Sequence, residues 1–429
     1  MVKKLLAVML MTFFLSPIIV ISTEEKPEFP KEVIHELNQS ALSKVTYYDV
    51  IPQNPNVYYE TYSYLDADLN QLGHLISPNT AFSISKLMIN SSGKAIFQLT
   101  DGTYIEANKT IIYDDVLKNQ MPVDLNFWTK AHFLAYNQPF VKGILPKETD
   151  IKAYDEVHAS RLVQTQQGNY YYINNKVWIS ETDLSLSDNR MSKVQDMLTQ
   201  KYNKSNYSIF VKQLDTQAVA GINADQLMYS ASIAKLATLY YVQDKINNGQ
   251  LAADKKLNYS DQVHHFDGAY DGSGSGKISK EADHKDYSVD ELLKAVSQHS
   301  DNVATNILGY YIANKYDQKF YAHINAIAGM KWNMESRMLS SHAAANLMEA
   351  IYYQNGQIIS YLSATDFDDN RISKNISVPV AHKIGDAYEN RHDVAIIYGK
   401  SPYILSVFTD NASYEDITQI SDDVYSILK

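Results

Sequence analysis

The sequence predicts an α+β protein: a C-terminal α/β sandwich with an all-α lobe, preceded by two small β-barrel modules. Three observations carry this. From residue 190 to 429 the order is helix, strands, a long helical middle, strands and a final helix. Between about 45 and 183 the texture changes to short, aromatic, alternating runs with Gly turns. The 429 residues, 45% of them hydrophobic, exceed what one core needs, so two or three domains are expected.

Residues 1–22 open with Met1-Val2-Lys3-Lys4 and an apolar run from Leu5 to Ile21. This is the pattern of a secretory signal cleaved after Ser22, or of an uncleaved membrane anchor. Either reading exports the chain, to the exterior, the cell wall or the membrane surface. Residues 23–44 are a polar, Pro-containing tether and a short helix with Val33, Ile34, Leu37 and Leu42 on one face. There is no cysteine, which excludes thiol catalysis and a disulfide framework. An exported chain without disulfides fits a Gram-positive bacterium. The net charge of −11 excludes nucleic acid as a partner, since that affinity rests on Lys and Arg.

Two modules are expected at 45–115 and 128–183. The first ends Gly102-Thr103-Tyr104-Ile105 … Asn108-Lys109-Thr110-Ile111-Ile112, the second Gly168-Asn169-Tyr170-Tyr171-Tyr172-Ile173-Asn174-Asn175-Lys176-Val177-Trp178-Ile179. Each reads as a hairpin closing a small barrel. The pair resembles bacterial SH3-like modules, which implies binding to a cell-wall polymer. Tyr104, Tyr170 and Tyr172 either stack on that polymer or fill the barrels.

In the last part, helical spacing at Met191–Leu198 precedes strands at Tyr207–Val211 and Ala218–Ala220. The helical middle runs from Ser232 to about Leu362. Strands Val380–Lys383, Val394–Tyr398 and Ile404–Thr409 and a helix from Tyr414 to Leu428 complete it.

Three motifs lie on this frame in order: Ser232-Ile233-Ala234-Lys235, Ser300-Asp301-Asn302 and Lys383-Ile384-Gly385. Each is weak alone, because Ser83–Lys86, Ser91–Lys94 and Ser426–Lys429 also read S-x-x-K and Ser187-Asp188-Asn189 repeats the second. Only the ordered set opens an apolar helix, ends another and sits on a strand. Ser232 needs a base within hydrogen-bond reach, and Lys235, one helical turn on, supplies one. A second cation at Lys383, with burial, lowers the Lys235 pKa. At the helix start the Ser232 N–H can bind an oxyanion.

This set resembles class A β-lactamases and penicillin-binding proteins. Asp271-Gly272-Ser273-Gly274-Ser275-Gly276, Tyr287–Leu293 and the strand Arg391–Tyr398 extend the resemblance over more than half the chain. It implies an acyl-enzyme at Ser232 formed with peptidoglycan peptide or a β-lactam. Ser300 would carry a proton to the leaving nitrogen, Asn302 would hold Lys235 and a substrate amide, and Lys383 would supply positive charge. Gly385 would let substrate lie against the strand, the Asp386 N–H would complete the oxyanion site, and Arg391 would read a substrate carboxylate. Asp301 is expected to brace the turn and His299 to be structural.

Two departures stand out. Ile384 replaces a hydroxyl residue, and its loss would cost ~1–3 kcal/mol of carboxylate binding. The omega loop that carries the deacylating Glu is expected to be missing, because Gly329–Arg337 leads directly into Ser340-Ser341-His342-Ala343; Glu335 is the carboxylate left there. A competing reading follows: a degenerate hydrolase serving as a wall-binding scaffold. No cofactor is implied, and His264-His265-Phe266-Asp267 lacks the spacing of a zinc site.

Overall fold

The computed structural model describes residues 46–429; the segments expected over 1–22 and 23–44 lie outside them. Among the described residues no helix is long and apolar enough to cross a membrane. The chain divides into two compact units. One runs up to Asn119 and includes Phe140–Leu145 and Gln164–Gln167; the other comprises Gln120–Pro139, Pro146–Val163 and Gly168–Lys429.

The first unit is built of strands. A five-stranded antiparallel sheet has the order Leu72–Ile76, Thr61–Tyr64, Tyr104–Glu106, Ala95–Leu99, Ile84–Ile89, and Pro55–Val57 pairs with Ile112–Asp114. Val57, Ile76, Phe97, Ile105 and Ile112 form its core. The hairpin expected between Tyr104 and Ile112 does not form. Tyr104–Glu106 pairs back onto Ala95–Leu99, and Ile112–Asp114 pairs with Pro55–Val57. The reason is local: the Asn108 carbonyl accepts from the N–H groups of both Ile111 and Ile112 and turns the chain out of the sheet.

The second unit begins with a six-stranded antiparallel sheet. Here Gly168–Ile173 does pair with Val177–Ser180, through Asn174 and Asn175, both at positive φ as a hairpin of matching twist requires. Tyr170 is buried, whereas Tyr172 packs 5.0 Å from Trp178 under the Arg161 guanidinium. The expected boundary at 128 falls inside the strand Asn119–Thr129, of which only Phe127 and Thr129 are buried, so apolar alternation cannot reveal its start.

The rest carries the three motifs. Its elements are α1 (Arg190–Tyr202), β1 (Tyr207–Gln213), β2 (Val219–Ile222), α2 (Lys235–Asn247), α3 (Val289–His299), α4 (Asn302–Tyr311), α5 (Gln318–Ala328), α6 (Ser341–Gln354), α7 (Gln357–Leu362), β3 (Val380–Ala387), β4 (Asn390–Ile397), β5 (Tyr403–Asp410) and α8 (Tyr414–Leu428). The sheet is antiparallel in the order β2-β1-β5-β4-β3. Its strands alternate between two cores, as period two demands. Val394 and Ile396 of β4 face the helical lobe, and Ala395 and Ile397 face the core under α1 and α8. The expected α/β sandwich with an all-α lobe is the observed architecture.

Candidate active site

Ser232 sits in a tight helical turn, Ala231–Ala234, that runs into α2. Ala231 just before it is held at φ 49, a conformation costly for a residue with a Cβ. The neighbourhood enforces it: the Tyr270 hydroxyl donates to the Ala231 carbonyl at 3.2 Å, and the Ser230 N–H donates to the Arg337 carbonyl at 2.8 Å. Ser232 is half-buried and lines a cavity of about 200 Å³. No hydrogen bond engages its hydroxyl among the described residues.

One turn on, Lys235 is fully buried. Its Nζ donates to the Ser300 carbonyl at 2.6 Å and to Asn302 Oδ1 at 2.5 Å, and it lies 3.3 Å from Ser300 Oγ. Burial, then the nearby Lys383 charge, push its pKa well below the usual lysine value. The oxygens that hold it are neutral, so no carboxylate offsets the cost of burying its charge.

The second motif occupies the break between two helices. Ser300 closes α3 in the left-handed conformation (φ 52), Asp301 caps α4, and Asn302 is its first residue. The left-handed turn points Ser300 Oγ at the two lysines, with Lys383 Nζ donating to it at 2.8 Å. A hydroxyl that accepts from the Lys383 amine has its own proton left to give. Asp301 turns away: it accepts from Ala304 N at 2.9 Å, Lys277 N at 2.6 Å and Ile278 N at 2.9 Å. Gly276 (φ +126) makes room, since a Cβ there would lie 2.2 Å from the Asp301 carboxylate.

Lys383, also fully buried, projects from β3 on the face of Ala381, toward the helical lobe. Burial, with Arg371 adding to it and Asp393 opposing, lowers its pKa to about 7. Gly385 has a role the sequence reading missed. A Cβ there would meet the Ser230 carbonyl at 2.5 Å, so the missing side chain lets β3 lie against the Ser232 turn.

Of the remaining expected residues, Asp386 reaches the cavity, and Ile384 and Arg391 do not. Ile384, Asp386 and the facing Arg391 project on the other face of the hairpin. The Asp386 carboxylate pairs with the buried Arg371 at 2.6 Å and accepts from the Tyr414 hydroxyl, so at most its backbone faces Ser232. Arg391 donates to the Ala412 carbonyl at 3.2 Å beside Tyr414 and does not line the Ser232 cavity. This corrects its expected place as the carboxylate reader: the register that pairs Arg391 with Asp386 turns its side chain away. Ile384 does not line the cavity either. His299 pairs with Asp366 at 2.9 Å. His264 bonds to Tyr259 and Asn306, and among the described residues no cluster of three His, Cys, Asp or Glu is placed to hold a metal.

Three large side chains of the cavity were not anticipated: Tyr229, Tyr270 and Arg337. Tyr270 lies under Lys235, whose Nζ is 4.6 Å from the ring centroid. Its position just before the Gly-rich segment was the signal available. Two of the lining residues carry carboxylates, and both groups are engaged. Asp386 is paired as above, and Asp271 accepts from the Ser273 side chain and backbone, which hold its pKa below the ordinary value. Glu335 is exposed and does not line it.

A family model described as the beta-lactamase enzyme family matches residues 189–428, and a domain of unknown function (DUF5776) matches residues 47–112. No curated protein matches the chain. Among solved structures, PBP-A is 17% identical, covering 56% of this chain and 96% of its own, with a TM-score of 0.46. A β-lactamase from Sphaerobacter thermophilus DSM 20745 is 16% identical, covering 56% and 95%, at 0.44. The TLA-3 extended-spectrum β-lactamase is 16% identical, covering 56% and 99%, at 0.47.

Proposed function

Because the chain belongs to the beta-lactamase enzyme family, we propose that it is a serine acyl-transfer enzyme whose nucleophile is Ser232. The observation that carries this is Lys235: a buried amine, bonded to neutral oxygens, one turn from a serine whose hydroxyl no hydrogen bond engages among the described residues. Lys235 takes the Ser232 proton as Oγ attacks a carbonyl carbon. The oxyanion is held by the backbone N–H groups of Ser232 and Asp386. As the C–N bond breaks, Ser300 gives its proton to the leaving nitrogen and recovers one from Lys235. Asn302 holds Lys235, and the Lys383 charge favours both the neutral amine and the developing anion.

The substrates are cell-wall peptide, cleaved in the manner of a carboxypeptidase or endopeptidase, or a β-lactam. Deacylation is slow. The two cavity carboxylates are tied up, so among the described residues no free carboxylate lines the cavity to activate water. The N-terminal strand modules would hold the enzyme at the wall after export.

Labelled penicillin tests the reading. The native protein should form a long-lived adduct that Ser232→Ala lacks. If the two label equally and neither cleaves wall peptide, the acyl-enzyme is wrong. Binding to purified wall that survives Ser232→Ala and Lys235→Ala would then favour the scaffold reading.

A further inference from the structure

Arg337 is built into the wall of the Ser232 cavity without a carboxylate to neutralise it. The half-buried Arg190 and the buried Arg371 have Asp188 and Asp386 as partners; Arg337, half-buried as well, has no ion pair among the described residues. Its side chain donates only to neutral oxygens: Nη2 to the carbonyls of Gly268 at 3.1 Å and Ala269 at 3.0 Å, and Nη1 to the Tyr229 hydroxyl at 3.4 Å. Its Nε is buried and bonded to nothing. The guanidinium rests 3.8 Å from the centroid of the Tyr270 ring. A guanidinium has five N–H groups, so part of its donor capacity is unused. Taking such a charge out of water without an anion is costly, and an anionic ligand relieves that cost.

The arginine is also held in place relative to the nucleophile. Its backbone is at φ 51, its carbonyl accepts from Ser230 N, and the next two residues pair with the strand that leads into the Ser232 turn, Tyr229 with Met338 and Met228 with Leu339. Strain maintained at a cavity residue points to function. The groups its side chain bonds, Tyr229, Gly268 and Ala269, bond to neither Ser300 nor Lys383, where the leaving nitrogen would depart.

We propose that Arg337 binds an anionic group on the acyl portion of the substrate, a carboxylate carried by the part that stays on Ser232. The inference rests on Ser232 as nucleophile and names the substrate class of that site. It makes Arg337 a specificity residue, distinct from the hydroxyl position at Ile384.

The test compares two penicillins identical except for a carboxylate on the side chain, phenylacetyl and α-carboxyphenylacetyl. The native protein should be acylated faster by the carboxylated compound, by about tenfold, the worth of one charge-assisted bond. In Arg337→Gln the ratio of the two rate constants should fall to about one, and Arg337→Lys should restore part of it. A ratio does not depend on how much of a variant folds. The same pair is measured by calorimetry on Ser232→Ala, where no acylation occurs, and the ratio of Kd values should follow the same pattern. A native ratio of one or below, or one that Arg337→Gln leaves intact, overturns the inference. A Kd ratio that behaves as expected while no adduct forms on the native protein sinks the acyl-enzyme and leaves the anion site standing.

Discussion

His382 and Lys383 are consecutive residues of β3, equally buried, and they hold their protons in opposite ways. The His382 ring sits between carboxylates, Nδ1 3.0 Å from Asp393 and Nε2 3.1 Å from Asp368, with Thr365 Oγ1 at 3.0 Å. Burial alone would push its pKa down, but Asp393 and Asp368 outweigh burial and lift it to about 9. Lys383 donates to a hydroxyl and a carbonyl, and burial wins, lowering it to about 7. Period two along one strand thus delivers a fixed imidazolium to one face and a titratable amine to the other. A buried cation given carboxylates is locked; one given only neutral oxygens is free to titrate.

The contrast can be broken at its catalytic end first. Ser232→Ala should reduce covalent labelling to background, and Lys235→Met should slow it by ~10²–10⁴-fold, the span of a general base. Mass spectrometry of the adduct over time reads both. If Lys235→Met acylates at the native rate, the buried amine is merely structural.

At the locked end, His382→Asn leaves Asp393 buried beside a neutral partner and should destabilise the fold by about 3–5 kcal/mol in urea unfolding. The pH dependence has a definite sign. His382 binds its proton more tightly folded than unfolded, so its contribution is complete below the unfolded value of about 6.5 and fades as pH rises toward about 9. His382→Asn should lack that slope. An unchanged slope would show that the triad is not what titrates.

Lys383→Met sharpens the other end. Removing the charge that faces Lys235 raises the Lys235 pKa, so more of it is protonated at neutral pH. The acid limb of the acylation profile should move to higher pH, with about a tenfold loss at pH 7. A loss of equal size at every pH would mean that Lys383 acts on substrate alone.

The smallest effect is expected at Ile384. Its side chain lies on the His382 face and does not line the cavity. Ile384→Thr should therefore change acylation by less than about threefold, under 0.7 kcal/mol. A gain of tenfold or more would return the hydroxyl position to the importance its motif suggests.

Much of this was legible without coordinates. Ser232, Lys235, Ser300, Asn302 and Lys383 lie in motifs whose spacing is local, so the sequence names them; the fold bonds the last four together and leaves Ser232 one turn from Lys235. The single hairpin at 168–179 was equally legible, because Asn174-Asn175 encodes its turn. Its supposed twin at 104–112 failed because pairing partners are not written in a strand's own residues. Arg391 was misplaced for a related reason. Spacing puts it near the third motif, but hairpin register decides which face it takes. Arg337 escaped because it reaches Ser232 through the pairing of Met338–Leu339 with Met228–Tyr229, two segments more than a hundred residues apart.

By itself the sequence determined the family, the α/β sandwich with its helical lobe, and the motif residues from which the acylation proposal starts, since periodicity and short motifs are local properties of a chain. Only the tertiary structure decided which groups surround each lysine, that Gly385 serves the approach of β3 to the Ser232 turn, that Arg391 and Ile384 stand outside the cavity and that Arg337 stands within it. Those outcomes depend on burial, strand register and long-range pairing, which arise only when distant segments are packed together.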